Sequence, residues 1–138
     1  MNKLDGHRIL IVDDEPFMRS TIKAVLRAVG RFVVAEADDG DVAMEQIGSF
    51  KPDVVLCDIT MPRLGGLLFV EHLRKHPEAW MRDTPVVILT GHAEEALVFN
   101  AARLKINGYL IKPISPKLLS AHLQGILAKP QVRPSTQL

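Results

Sequence analysis

The chain lacks the residues that mark several common functions. It has one cysteine in 138 residues, so no intramolecular disulfide can form, and Cys57 inside an apolar run reads as a small buried hydrophobe rather than a redox centre. One Trp, one Tyr and five Phe are present, and 17 Lys and Arg against 16 Asp and Glu leave a net charge of +1. With few aromatics and no basic cluster there is no electrostatic footprint for nucleic acid. No apolar stretch approaches the roughly 20 residues of a membrane span. The N-terminal Met1-Asn2-Lys3-Leu4-Asp5 carries no apolar signal core, so no membrane association is expected and the expected compartment is the cytoplasm. There is no Gly-x-x-x-x-Gly-Lys run, which excludes a P-loop nucleotidase, and there is neither an internal repeat nor a low-complexity segment.

What the chain does have is a series of short, fully apolar runs. Ile9-Leu10-Ile11-Val12, Val54-Val55-Leu56-Cys57, Val86-Val87-Ile88-Leu89 and Tyr109-Leu110-Ile111 alternate with segments of helical period. Runs apolar at every position are strands covered on both faces, as in a parallel sheet. A fifth run, Val33-Val34-Ala35-Glu36-Ala37, is more polar and belongs near an edge. Helices are expected from Glu15-Pro16 to Gly30, over 41–50, 67–76, 93–104 and 116–128. The segment 77–84 reads as a connection. These elements predict an α/β fold: a doubly wound five-stranded parallel sheet in the flavodoxin-like order 2-1-3-4-5, with helices one and five on one face and two to four on the other. A single domain over 1–128 is expected, with 129–138 as a flexible tail and no output domain.

The residues that end these runs carry the chemistry. The first ends in Asp13-Asp14, the second in Asp58, the third in Thr90 and the last in Lys112. Ligands of open α/β sheets bind outside the carboxyl ends of the strands, so three carboxylates, a hydroxyl and an ammonium converge on one crevice. Carboxylates roughly 5 Å apart repel by about 3 kcal/mol per pair at an effective dielectric near 20. A hard divalent cation relieves that repulsion, and a small, partly hydrated oxygen site suits Mg²⁺ better than Ca²⁺. A carboxylate facing such a cation, with a lysine opposite, can attack phosphorus while both positive groups neutralise the equatorial oxygens.

The motifs Leu10-Ile11-Val12-Asp13-Asp14-Glu15-Pro16, Asp58-Ile59-Thr60-Met61-Pro62, Leu89-Thr90 and Gly108-Tyr109-Leu110-Ile111-Lys112-Pro113 together resemble the receiver domain of the two-component response regulator family, over residues 7 to about 128. The resemblance implies that Asp58 is the phosphoacceptor and that Asp13, Asp14, Asp58 and the Thr60 backbone carbonyl hold Mg²⁺. It implies that Lys112 contacts the phosphoryl group, that Thr90 hydrogen-bonds it, and that Thr90 and Tyr109 form the switch. It also implies a cis Lys112–Pro113 bond and a phosphohistidine donor on a histidine kinase or phosphotransfer protein.

Three positions depart from the family pattern. Gly91 follows the switch threonine where alanine is usual, which should loosen the loop beyond it. Gly65 replaces an aspartate, removing a side-chain cap from helix three. Lys105 stands where a glycine usually ends helix four, so it must adopt a positive φ or end the helix differently.

Other residues carry weaker signals. His72 and His76 lie four apart on helix three, but without a third ligand they read as a solvated face. His92, two residues after Thr90, can approach the site, although an exposed loop histidine is the simpler reading. Trp80 is expected to cover the core. In the fourth helix, Leu97, Ala101 and Leu104 form one apolar stripe and Val98, Phe99 and Ala102 another. Only one stripe can face the sheet; the simpler reading is a small-residue helix packed deeper than usual, and the functional reading is that Val98, Phe99 and Ala102 form a partner face with Tyr109 and helix five, which the family resemblance also implies. The leading function is therefore a stand-alone receiver whose phosphorylation alters the helix 4, strand 5 and helix 5 face for a target protein or for homodimerisation. Such a protein is no enzyme beyond catalysing its own phosphorylation and dephosphorylation. The alternative is a phosphorelay intermediate or phosphate sink that passes the phosphoryl group to another histidine. A phosphohydrolase is disfavoured because Thr60, not a second aspartate, stands two residues after Asp58.

Overall fold

Each apolar run of the sequence forms a strand, and all five strands run parallel in the order β2-β1-β3-β4-β5. The structure, a computed structural model, describes residues 2–59, 65–91 and 104–128. Along the chain the elements are β1 (Arg8–Val12), α1 (Pro16–Val29), β2 (Val33–Ala37), α2 (Gly40–Phe50), β3 (Val54–Asp58), α3 (Gly66–Arg74), a single-turn α4 (Ala79–Arg82), β4 (Val86–Thr90), β5 (Gly108–Ile111) and α5 (Pro116–Leu127). The order predicted from right-handed crossovers is the order found. The tail 129–138 lies outside the described residues, as does most of the fourth predicted helix, 93–104.

The continuous apolar runs arise because the pleat sends alternate side chains into two separate cores. Ile9, Ile11, Val54, Leu56, Val87 and Leu89 pack against Ile22 and Leu26 of α1 and Leu119 and Leu123 of α5. Leu10, Val12, Val55, Cys57, Val86 and Ile88 pack against Ala43 and Ile47 of α2 and Phe69, Val70 and Leu73 of α3. Leu104, from the stripe assigned above, is buried in this second core. β2 sits at an edge and is only partly covered, as its composition indicated.

Local signals account for most boundaries. Glu15 precedes α1 with Pro16 in its first turn. Asp39 accepts from the Val42 N–H and caps α2, and Ser115 accepts from the Leu118 N–H and caps α5. Helix α3 begins at Gly65-Gly66 with no side-chain cap, as the missing aspartate predicted. The segment read as a bare connection, 77–84, instead contains α4, whose Met81 is buried. Its turn is driven by that anchor and by Trp80 beside it, which is partly buried against the same core and lies 5.8 Å from the Lys51 ammonium.

Lys105 takes the positive-φ option, with φ 54°. One arginine holds the turn it makes. The Arg74 guanidinium donates to the Leu104 carbonyl at 2.9 Å and the Lys105 carbonyl at 3.1 Å, and also to the carbonyls of Arg82 at 2.8 Å and Thr84 at 2.7 Å. Burial lowers the Arg74 pKa, and four carbonyl acceptors compensate the desolvated cation. Because a left-handed conformation strains any side-chain-bearing residue, Lys105→Gly should raise unfolding free energy by about 0.5–1 kcal/mol in urea titrations, whereas Lys105→Ala should give no gain. Equal stability of Lys105→Gly and wild type would contradict a strain cost at this position.

Candidate functional site

The carboxyl edge of the sheet brings together the residues expected there. Asp13 and Asp14 directly follow β1, Asp58 and Thr90 are the last residues of β3 and β4, and Lys112 directly follows β5. One carboxylate oxygen from each of Asp13, Asp14 and Asp58 lies within 4.8 Å of the other two. The Lys112 ammonium is 3.0 Å from Asp58 Oδ1 and 3.9 Å from Asp13 Oδ2. Asp13, Asp58 and Thr90 are buried, at 1%, 4% and 4% exposure. The Thr90 carbonyl receives the Lys112 N–H at 2.7 Å, which sets where Lys112 leaves the sheet, and the Lys112–Pro113 bond is cis.

The two carboxylate oxygens of Asp13 are unequally satisfied. Its Oδ1 accepts the Glu15 N–H at 2.9 Å, while its buried Oδ2 accepts no hydrogen bond. Burial raises the Asp13 pKa; the Glu15 N–H and the Lys112 charge oppose the rise, and the charges of Asp58 and Asp14 add to it. A buried carboxylate oxygen without a donor costs roughly 1–3 kcal/mol or more. Adjacent oxygens in one octahedral Mg²⁺ shell stand about 3 Å apart and opposite ones about 4 Å, so a trio within 4.8 Å of one another would draw inward to share one ion. Hard oxygen donors, a buried oxygen that accepts no hydrogen bond and repelling charges fit a divalent cation. Among the described residues no other group of three His, Cys, Asp or Glu has such spacing.

Two features support the pocket from outside it. Gly66 packs directly under the site: its N–H donates to the Ile59 carbonyl at 3.1 Å, and a Cβ there would collide with the Asp58 carbonyl oxygen and stand 2.8 Å from the Ile59 Cα. Only a residue without a Cβ allows the backbone to approach this closely. The second feature was not read from the sequence. Arg19 of α1 donates to the Asp13 main-chain carbonyl at 2.8 Å and, through Nε, to Glu36 of β2 at 2.9 Å. The available signal was a lone carboxylate inside an edge strand, with Arg19 and Lys23 four apart on the neighbouring helix.

Other candidates fall away from this cluster. Cys57 is fully buried and burial drives its thiol pKa strongly upward, so no thiolate is available. The His76 Nδ1 accepts the Glu78 N–H at 3.0 Å, which ties that histidine to its own loop while His72 is exposed. Gly91 is exposed, and a Cβ there would meet nothing within 4 Å. Tyr109 is 40% exposed. Thr60, His92, Val98, Phe99 and Ala102 lie outside the described residues.

A carboxyl whose native pKa is raised binds its proton more tightly in the folded state. It favours the fold at low pH, and that contribution is lost as pH climbs from the ordinary 3.8 through the raised native value. In metal-free buffer Asp13→Asn should therefore raise stability at neutral pH by about 1–3 kcal/mol and flatten the fall in stability above pH 4. Urea titrations from pH 4 to 8 read both effects, and an unchanged slope would mean that Asp13 is not strained.

Comparison with known proteins agrees with this geometry. Residues 9–124 match the model of the response regulator receiver domain. The Regulator of RpoS from Escherichia coli K12 is 38% identical over 111 residues, which are 80% of this chain and 32% of that protein; the chain thus spans about a third of that relative's length. A crystal structure of a response regulator from Chloroflexus aurantiacus superposes with a TM-score of 0.81 at 30% identity, covering 91% of this chain and 100% of that one. The receiver domain of the sensor histidine kinase PA1611 from Pseudomonas aeruginosa, whose structure has a magnesium ion coordinated in its active site cleft, gives 0.79 at 28% identity over 90% of this chain and 99% of that one. With the parallel sheet, the acidic trio and the opposing lysine in place, the chain belongs to the response regulator receiver domain family.

Proposed function

We propose that Asp58 accepts a phosphoryl group, with Mg²⁺ held by Asp13, Asp14, Asp58 and the Thr60 carbonyl, and that the resulting acyl phosphate controls protein binding. The observation that carries this reading is a buried Asp58 carboxylate, 4% exposed, held between the Lys112 ammonium at 3.0 Å and the two other carboxylates. Magnesium coordinated in the cleft of the PA1611 receiver supports the choice of ion.

A bound divalent cation supplies charge neutralisation to the phosphoryl oxygens. The rest is the work of this chain's residues. An Asp58 oxygen attacks phosphorus as the bond to the donor's imidazole nitrogen breaks, leaving an acyl phosphate on Asp58 and a free histidine on a histidine kinase or phosphotransfer protein. Lys112 already pairs with Asp58 and is placed to follow the charge onto the phosphoryl group. Thr90, at the end of the adjacent strand, supplies a hydroxyl whose movement toward the phosphoryl oxygens vacates space for Tyr109. The only chemistry catalysed is the domain's own phosphorylation and its reversal. The reading places the protein in the cytoplasm; no helix among the described residues is long and apolar enough to cross a membrane.

The output face follows from exposure. Tyr109, Ile111 and Leu118 are 40%, 50% and 56% exposed on β5 and α5. Tyr109 belongs to the partner face read from the sequence, and the partner of that face is a target protein or a second copy of the chain. A ligand of this face senses phosphorylation only if it binds the two states with different affinity.

The test is phosphorylation by a small acyl-phosphate donor with Mg²⁺, followed by intact mass. One phosphoryl group should be added to the wild type and none to Asp58→Asn or Asp14→Ala. Lys112→Ala should bind Mg²⁺ as well as the wild type or more tightly, because a repelling cation has gone, while losing phosphorylation-dependent association. Modification that persists in Asp58→Asn would overturn the assignment.

A further inference from the structure

Asp13 has four polar atoms in play, and three are already committed. Its N–H donates to the Ala37 carbonyl at 3.1 Å, its Oδ1 accepts from the Glu15 N–H at 2.9 Å, and its main-chain carbonyl accepts from Arg19 Nη1 at 2.8 Å. Only Oδ2 is left to face the pocket. The carbonyl held by Arg19 belongs to the peptide joining Asp13 to Asp14, so its orientation sets the direction in which both carboxylates project. Freed of that bond, the peptide plane can rotate about its flanking dihedrals and carry Asp14 out of line.

Arg19 does not hold this position alone. Its Nε is 2.9 Å from Glu36 Oε1, and the other oxygen of Glu36 is 2.9 Å from the Lys23 ammonium. Glu36 lies in β2 opposite Ile11, one residue before the Ala37 that pairs with Val12, so the anchor is fixed to the sheet next to the loop it steers. The Arg19 side chain is 17% exposed. A mobile guanidinium so close to three carboxylates would turn toward them and take the place of a bound cation. Held by Glu36, it reaches the backbone of the acidic loop instead.

We infer that Arg19 is a positioning residue for the cation site and that Glu36 is its anchor. Together they orient the Asp13–Asp14 peptide and keep the guanidinium out of the acidic pocket. This rests on the metal reading above and extends it to two residues that do not touch the ion.

The experiment is calorimetric titration of the folded protein with MgCl₂, with Glu15 amide exchange in metal-free buffer as a second reading. Removal of groups that orient metal ligands typically weakens binding about 10- to 100-fold. Arg19→Ala should lose about tenfold in Mg²⁺ affinity and speed Glu15 exchange. Glu36→Gln, which keeps the arginine but releases it, should also weaken binding, and the double variant should be no weaker than Arg19→Ala, because Glu36 acts through Arg19. Lys23→Ala shares the Glu36 contact without touching Asp13, so it should keep wild-type affinity and exchange. If Arg19→Ala does not fold, Glu36→Gln carries the same test.

Wild-type Mg²⁺ affinity and Glu15 exchange in both Arg19→Ala and Glu36→Gln would overturn the inference. Loss of affinity in Lys23→Ala equal to that in Arg19→Ala would overturn it too, in favour of a purely structural charge cluster. A wild-type protein that binds no Mg²⁺ would instead overturn the metal reading, and Glu15 exchange would still decide whether Arg19 holds the loop.

Discussion

Repulsion among three carboxylates at one edge of a sheet is the constraint on which the rest of the structure depends. Ligand oxygens within 4.8 Å of one another interact by upwards of about 3 kcal/mol per pair at an effective dielectric near 20. The isolated domain relieves this only in part. Lys112 pairs with Asp58, the Glu15 N–H satisfies one oxygen of Asp13, and the other stays buried without a donor. On the proposed reading as a cation site, stability is given up where binding needs charge.

Such a site has to be rigid, and the two cores provide the rigidity. Every residue of β3 and β4 is buried, with alternate side chains anchored against α1 and α5 on one face and against α2 and α3 on the other. The carboxylates therefore cannot drift apart without disrupting packing on both faces. Gly66 closes the pocket from the α3 side, where a single methyl group would strike the backbone of Asp58 and Ile59. From the α1 side, Arg19 and Glu36 grip the loop.

Much of this was legible in the sequence because each feature left a local trace. Apolar runs without alternation meant two-sided burial, and the residues ending them meant a crevice. The sequence left Lys105 either a positive φ or a different helix end, and the chain takes the first. What escaped notice depended on tertiary proximity. The bonds from Arg74 join three separate segments of chain, and nothing near position 74 announces them. The turn of α4 is stabilised by Met81 and Trp80 entering a core built elsewhere, so its own residues read as a connection. Ile111 belongs to an apolar run yet is half exposed, because β5 is an edge strand and its outward face is only partly covered. The Arg19–Glu36 pair spans 17 residues and becomes visible only when α1 is laid against β2.

As the cation site proposed above, the acidic trio is strained until an ion binds. Thermal unfolding in saturating MgCl₂ against EDTA, for wild type and Asp13→Asn, tests this most directly. A cation that binds only the folded state adds about 2.7 kcal/mol at a hundred times its Kd. The account predicts a clear rise in the wild-type melting temperature with Mg²⁺, and a small rise or none in Asp13→Asn, whose melting temperature in EDTA already exceeds that of the wild type. A wild-type protein indifferent to Mg²⁺, or an Asp13→Asn variant that melts lower in EDTA, would contradict it.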